Sequence, residues 1–141
     1  MTDLLKISEA ASLGIHAMIY LVAHPGETIA TGAIAARLQV SEHHLAKVMQ
    51  RLVRAALVVS VRGPKGGFHL ADDPATVSLL DVFEAIEGSP EPRTCLLGPE
   101  RRCPSGQCFL GDLNQRVHAQ IKEHFEKTKL ADLGGIFRET S

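Results

Sequence analysis

Between Thr31 and Leu70 the 141-residue chain switches its hydrophobic period from helical to alternating, with turn residues at each change. From Ser41 onward, apolar residues fall at Leu45, Val48, Met49, Leu52, Val53 and Ala56, steps of three and four that put one buried stripe on a helix. Ser41 supplies a side-chain oxygen to cap it. Upstream, Thr31 is placed to cap a shorter helix over 32–38, with Gln39-Val40 as the tight turn between the two. Downstream, Val58-Val59-Ser60-Val61 is short and β-branched, Gly63-Pro64-Lys65-Gly66-Gly67 turns the chain, and Phe68-His69-Leu70 returns it. Helix, turn, helix and hairpin in that order predict a winged helix-turn-helix.

The flanking sequence extends this frame. Residues 8–23 form an almost wholly apolar helical stretch that His24-Pro25-Gly26 stops. Ser78 with Asp81 makes a capping box for a helix running to Glu87, ended by Gly88-Ser89-Pro90. Leu110, Leu113, Val117, Ile121 and Phe125 mark one stripe on a long amphipathic helix whose other face carries Asp112, Arg116, Lys122, Glu123 and Lys127. A subunit of this size has little spare surface to cover such a stripe, so it predicts a homodimer. The expected fold class is mainly α with a small β-hairpin wing: a winged helix-turn-helix over 1–88, a cysteine-bearing loop over 89–108, and a dimerisation helix with a tail over 109–141.

Charge identifies a partner. The chain as a whole carries −1, but residues 37–69 hold Arg37, Lys47, Arg51, Arg54, Arg62 and Lys65 against Glu42 alone, a local +5 that leaves −6 elsewhere. A locally basic face on an acidic protein is the footprint of phosphate binding. On the helix from Ser41, the exposed N-terminal positions are Glu42, His43, His44, Ala46 and Lys47, where a recognition helix meets base edges in the major groove. Lys47 can donate to guanine and His43 or His44 to a base or phosphate, while Arg51 and Arg54 come later and suit phosphate. Adjacent histidines on a helix point about 100° apart, which disfavours a two-histidine metal clamp. Arg62 and Lys65 flank a glycine turn suited to a wing along the minor groove, although a plain solvated hairpin turns the same way. The expected contacts to double-stranded DNA are Thr31, Ser41, His43, His44, Lys47, Arg51, Arg62 and Lys65.

The three cysteines, Cys95, Cys103 and Cys108, all fall in one fourteen-residue stretch spaced Cys-x7-Cys-x4-Cys. Structural zinc prefers closer pairs and a fourth nitrogen or sulfur ligand. Iron–sulfur clusters take thiolates from looser loops and accept a non-cysteine ligand at one iron. Gly98, Pro99, Pro104 and Gly106 let the loop wrap such a cluster. Zinc and a bare thiol sensor are the other readings of the site, the latter because Arg101 and Arg102 would lower the pKa of Cys103, and a cluster-carrying redox protein is the alternative to a regulator. The N-terminus lacks a signal peptide's basic start and cleavage site, and no apolar run reaches membrane-spanning length, which points to the cytoplasm and away from a membrane. No nucleotide-binding glycine motif or Ser/His/Asp nucleophile set is present, so an enzyme is not expected.

Together these residues resemble the IscR/NsrR family of winged-helix regulators, the Rrf-two-type repressors of bacteria. The likeness runs nearly end to end: HAMIYLVAHP in the opening helix, VSEHHLAKVMQRLVRAALVVSVRGPKGGFHL in the reader and wing, LLDVFEAIEG, the three cysteines, and TKLADL near the end. The resemblance implies a homodimer paired through the helix after Cys108. It implies a four-iron or two-iron cluster on Cys95, Cys103 and Cys108 in each subunit, and cluster-dependent binding to a palindromic operator. It places base-reading positions at His43, His44, Ala46 and Lys47 and the minor-groove residue at Arg62. The cysteine spacing differs from that of the best-known members, and a histidine that some members place after the last cysteine is Gly111 here. The acidic ligand that others supply from the first helix aligns with Ser12, with Glu9 and His16 one turn to either side. The fourth ligand is thus Glu9, Ser12 or His16, from the same subunit or its partner.

Overall fold

The computed structural model describes residues 7–91 and 109–137, so Cys95, Cys103 and Cys108 lie outside the described residues. Among the described residues the order is α1 (Glu9–Val22), α2 (Thr31–Leu38), α3 (Glu42–Arg54), β1 (Val58–Val61), β2 (Gly67–Leu70), α4 (Leu79–Glu87) and α5 (Leu113–Lys127). Short 3-10 turns occupy Pro74–Thr76 and Leu130–Leu133. The fold is the winged helix-turn-helix with a long following helix that the sequence predicts. No described helix is long and apolar enough to cross a membrane.

The core is built where the helical stripes meet. Ala11, Ala17 and Met18 of α1, Ile34 of α2, Leu45, Met49 and Leu52 of α3 and Val82 of α4 are essentially inaccessible to solvent. Gly14 lets α1 and α4 approach: a β-carbon there would lie 2.0 Å from Ile86 Cδ1 and 3.3 Å from Val48 Cγ1. Ile86 therefore fills a notch in α1 that no other residue type would leave open. The expected caps of α3 and α4 are present. Ser41 Oγ accepts from the His44 amide at 3.4 Å, and Ser78 and Asp81 exchange side-chain and backbone bonds at 3.0 and 2.9 Å.

Thr31 is the exception. The helix starts at Thr31 itself, with Ala30 as the capping position and no side-chain cap bond. The cause is a tertiary pairing: Ile29 and Phe68 exchange backbone hydrogen bonds at 2.9 and 2.8 Å, which holds the chain extended up to Ala30. Leu110 likewise precedes α5 rather than beginning its stripe, because Gly111 takes a left-handed φ of 58° and the helix opens at Leu113.

The wing pairs Val58 with Leu70, Val59 with His69, Ser60 with Phe68 and Val61 with Gly67. Phe68 plugs its base into the core, and the Ile29 bridge lashes it to the α1–α2 connection. After α5 the chain returns to the body: Leu79 donates its amide to the Thr128 carbonyl at 3.0 Å, and Leu130 donates to Val77 at 2.9 Å. Leu130 is fully buried, and Phe137 packs against Tyr20 and under the Arg37 guanidinium.

At Gly67, φ is 153° and a β-carbon would sit 2.2 Å from the Ile29 carbonyl oxygen, whereas at Gly63, φ 110°, nothing lies within 4 Å. Gly67→Ala is expected to cost about 1–3 kcal/mol or more, from strain and overlap together, and Gly63→Ala distinctly less. Urea unfolding of the two variants checks the order, and equal losses would show that the Ile29–Phe68 clasp is not tight.

Candidate nucleic-acid interface

The reading surface follows from how α3 is buried. At about 100° per residue, Leu45, Val48, Met49 and Leu52 occupy the inner side. His43, Lys47, Gln50 and Arg54 then fall on the directly opposite, exposed side, with Ala46 half-buried beside them. His44 and Arg51, seven residues apart, share a flank between the two. At the wing, Arg62 and Lys65 are exposed on either side of Gly63-Pro64. The structure thus places His43, His44, Lys47, Arg62 and Lys65 at the surface of the two elements that a winged helix offers to DNA. Thr31 is half-buried at the start of α2, and the Ser41 hydroxyl is engaged in capping α3.

Arg51 has a partner that its sequence position does not reveal. Its Nη1 donates to the Ile86 carbonyl at 3.1 Å, across 35 positions of the chain. That carbonyl lies in the last turn of α4, where backbone oxygens lack helical partners and a cation is favoured. At the same corner the Ser8 hydroxyl, which caps α1, donates to the Glu87 carboxylate. A groove of about 250 Å³ opens there, lined by Glu9, Ala10, Leu13, His44, Lys47, Val48 and Arg51. The N-terminus of α1, the C-terminus of α4 and the flank of α3 therefore form one junction.

The three candidate fourth ligands have different surroundings. Glu9 is exposed and faces the groove, one residue from the Ser8–Glu87 bond. His16 donates from Nδ1 to the Ser12 carbonyl at 2.6 Å and meets the edge of Phe137, leaving Nε2 as its acceptor. Ser12 is half-buried, with its hydroxyl 3.4 Å from the same ring nitrogen. Among the described residues no group of three or more His, Cys, Asp or Glu side chains could hold a metal ion. Gly14 and the tail docking of Phe137 were missed in the sequence, although a lone glycine inside an apolar helix is a signal of close packing.

A recognition helix with an exposed basic stripe, joined to a basic wing, defines a winged-helix DNA-binding protein. The chain belongs to the Rrf2 family, whose model, described as an iron-dependent transcriptional regulator, matches residues 7–135. The helix-turn-helix-type regulator BadM of Rhodopseudomonas palustris is 40% identical over 83 residues, 59% of this chain and 53% of BadM, so that match spans about half the relative's length. CymR of Bacillus subtilis is 32% identical over 130 residues, 92% of this chain and 89% of CymR. The solved structure of CymR, the global cysteine regulator of B. subtilis, superposes with a TM-score of 0.79 at 30% identity, covering 94% of this chain and 98% of that one. The IscR of T. potens gives a TM-score of 0.71 at 29% identity, covering 92% and 85%. The chain is a helix-turn-helix transcriptional regulator, not an enzyme.

Lys47→Ala and Arg62→Ala are each expected to weaken specific operator binding by about 1–3 kcal/mol, with binding that falls steeply as salt rises. A fluorescence-anisotropy titration with operator DNA checks this, and unchanged affinity in both variants would remove those two residues from the interface.

Proposed function

We propose that this regulator is a repressor that binds a palindromic operator as a homodimer and senses redox state, nitric oxide or iron through an iron–sulfur cluster on Cys95, Cys103 and Cys108. The observation that carries the reading is the gathering of every cysteine into one fourteen-residue stretch that follows α4 in the chain, a helix packed on the recognition helix. The donor set fits: three thiolates, with Glu9 beside the Ser8–Glu87 bond where that segment leaves the fold, and Ser12 and His16 further along α1. A bound four-iron or two-iron cluster would supply an iron open to nitric oxide, oxygen and iron shortage. The protein's own residues hold it, keep the loop root fixed and present His43, His44, Lys47, Arg62 and Lys65 to DNA, with Thr31, Ser41 and Arg51 on the supporting side.

Dimerisation rests on α5. Phe125 packs against α4, edge-on to Phe83 at 6.0 Å between ring centres, and Ile121 lines a pocket with Leu80 and Phe83 of α4. Leu113 and Val117 remain 43% and 41% exposed, continuing the same stripe without a described partner. A second copy of α5 would cover them about a two-fold axis, matching two half-sites. Val117→Glu is expected to give monomer or insoluble protein in sedimentation velocity, and a soluble folded dimer would move the interface elsewhere.

The likeness to CymR favours a second reading, in which the same cysteines act as a thiol or zinc switch without a cluster. Anaerobic purification decides between them. The cluster reading expects a coloured protein with stoichiometric iron and sulfide, lost on replacing any one of Cys95, Cys103 or Cys108 by Ala while helical content is retained. A colourless, iron-free protein whose operator affinity responds to oxidant would establish the thiol reading instead. Equal operator affinity in the loaded, unloaded and cysteine-substituted forms would leave a DNA-binding protein without a sensor.

A further inference from the structure

We infer that Arg51 is a positioning residue, a strut that locks the recognition helix to the root of the cysteine-bearing segment, and that it is not a phosphate contact. The transmitting part of this inference rests on the sensing role proposed above.

Three contacts converge on the last turn of α4. The Ile86 side chain fills the notch at Gly14, which Val48 of α3 also borders, the Ile86 carbonyl accepts from Arg51 at 3.1 Å, and Glu87 accepts from the α1 cap Ser8. The segment carrying the three cysteines departs four residues beyond, after Glu91. Position around α3 points the same way. His43, Lys47, Gln50 and Arg54 lie opposite the buried stripe, where DNA approaches, but Arg51 lies on the flank facing α1 and α4. A guanidinium has donors in a fixed fork, so orienting one of them at a carbonyl commits the group's geometry. Displacing the end of α4 therefore pulls on α3 through Arg51 directly, without passing through the wing or α2.

The test measures operator dissociation constants over a salt series for the wild type, Arg51→Met and Lys47→Ala. Each is prepared anaerobically in two forms, one chelator-treated and one reconstituted with iron and sulfide. Methionine keeps an apolar stem against the helix but removes the donors, and Arg51→Gln serves as a second variant should the first be insoluble. A lost phosphate contact lowers the salt slope by about 0.9, and by about twice that in a dimer. The strut predicts an unchanged slope for Arg51→Met, together with collapse of the affinity ratio between the two preparations toward one. Lys47→Ala should keep the wild-type ratio. A lowered slope in Arg51→Met would make Arg51 a phosphate contact and overturn the inference. An unchanged slope with an unchanged ratio would overturn it too, leaving Arg51 as ordinary packing. A wild-type ratio of one would remove the sensing role and with it the transmitting role, while the slope still decides whether Arg51 touches DNA.

Discussion

The seating of Ile86 against Gly14 is the contact on which the orientation of the reading head depends. A β-carbon at Gly14 would fall 2.0 Å from Ile86 Cδ1, so the two helices touch closely there, and Val48 of α3 closes the third side. Close-packed side chains of three helices move together or not at all. The direction in which α3 leaves the body is therefore set by α1 and α4 as much as by its neighbour α2. The wing is fixed by a separate device, since Phe68 is bonded through its backbone to Ile29 and buries its ring in the same core. The recognition helix is thus held to α1, and the wing to the connection that follows α1.

Much of this was legible in the sequence because it is local. The stripe of α3, the Ser41 cap, the Ser78–Asp81 capping box and the hairpin are each specified by residues within a few positions of one another. The misread start of α2 shows the limit. Thr31 is a good capping residue on local grounds, and a pairing between Ile29 and Phe68, 39 residues apart in number, overrides it. Arg51 shows the same limit: its charge is visible in the sequence, but the carbonyl that takes its Nη1 donor comes from another helix. The split of the α5 stripe, half against α4 and half exposed, also follows from tertiary placement rather than from period.

Electrostatics explains why a chain with net charge −1 can read DNA. The +5 of residues 37–69 is concentrated on α3, the wing and the end of α2, while the remaining −6 is spread over the rest. Screening at physiological ionic strength acts over about 8 Å, so an approaching phosphate senses the near face and little of the acidic bulk. Glu42 opens α3, Glu87 sits at the end of α4 beside the Arg51 bond, and Glu9 shares a groove with Lys47 and Arg51. Glu9 thereby lowers the positive potential on the groove side and leaves His43 and Arg54, which do not line the groove, as the more attractive part of the outward stripe. On the wing, Arg62 and Lys65 have no acidic residue between them.

The magnitude of a regulatory response sets what the junction must supply. A hundredfold change in operator affinity corresponds to about 2.7 kcal/mol, and a sensor supplies it only through different interaction energies with two arrangements of the protein. A hydrogen bond from a charged donor is worth about 1.5–3 kcal/mol. The Arg51–Ile86 bond can therefore carry a difference on that scale, whereas unseating Ile86 would cost about 2–5 kcal/mol and would threaten the fold itself. The physical arrangement favours a switch in which the apolar peg stays seated and the polar strut beside it carries the displacement. A change at the loop root would then reach α3 as a small rotation about Ile86, enough to alter the approach of Lys47 and His43 while leaving the core intact.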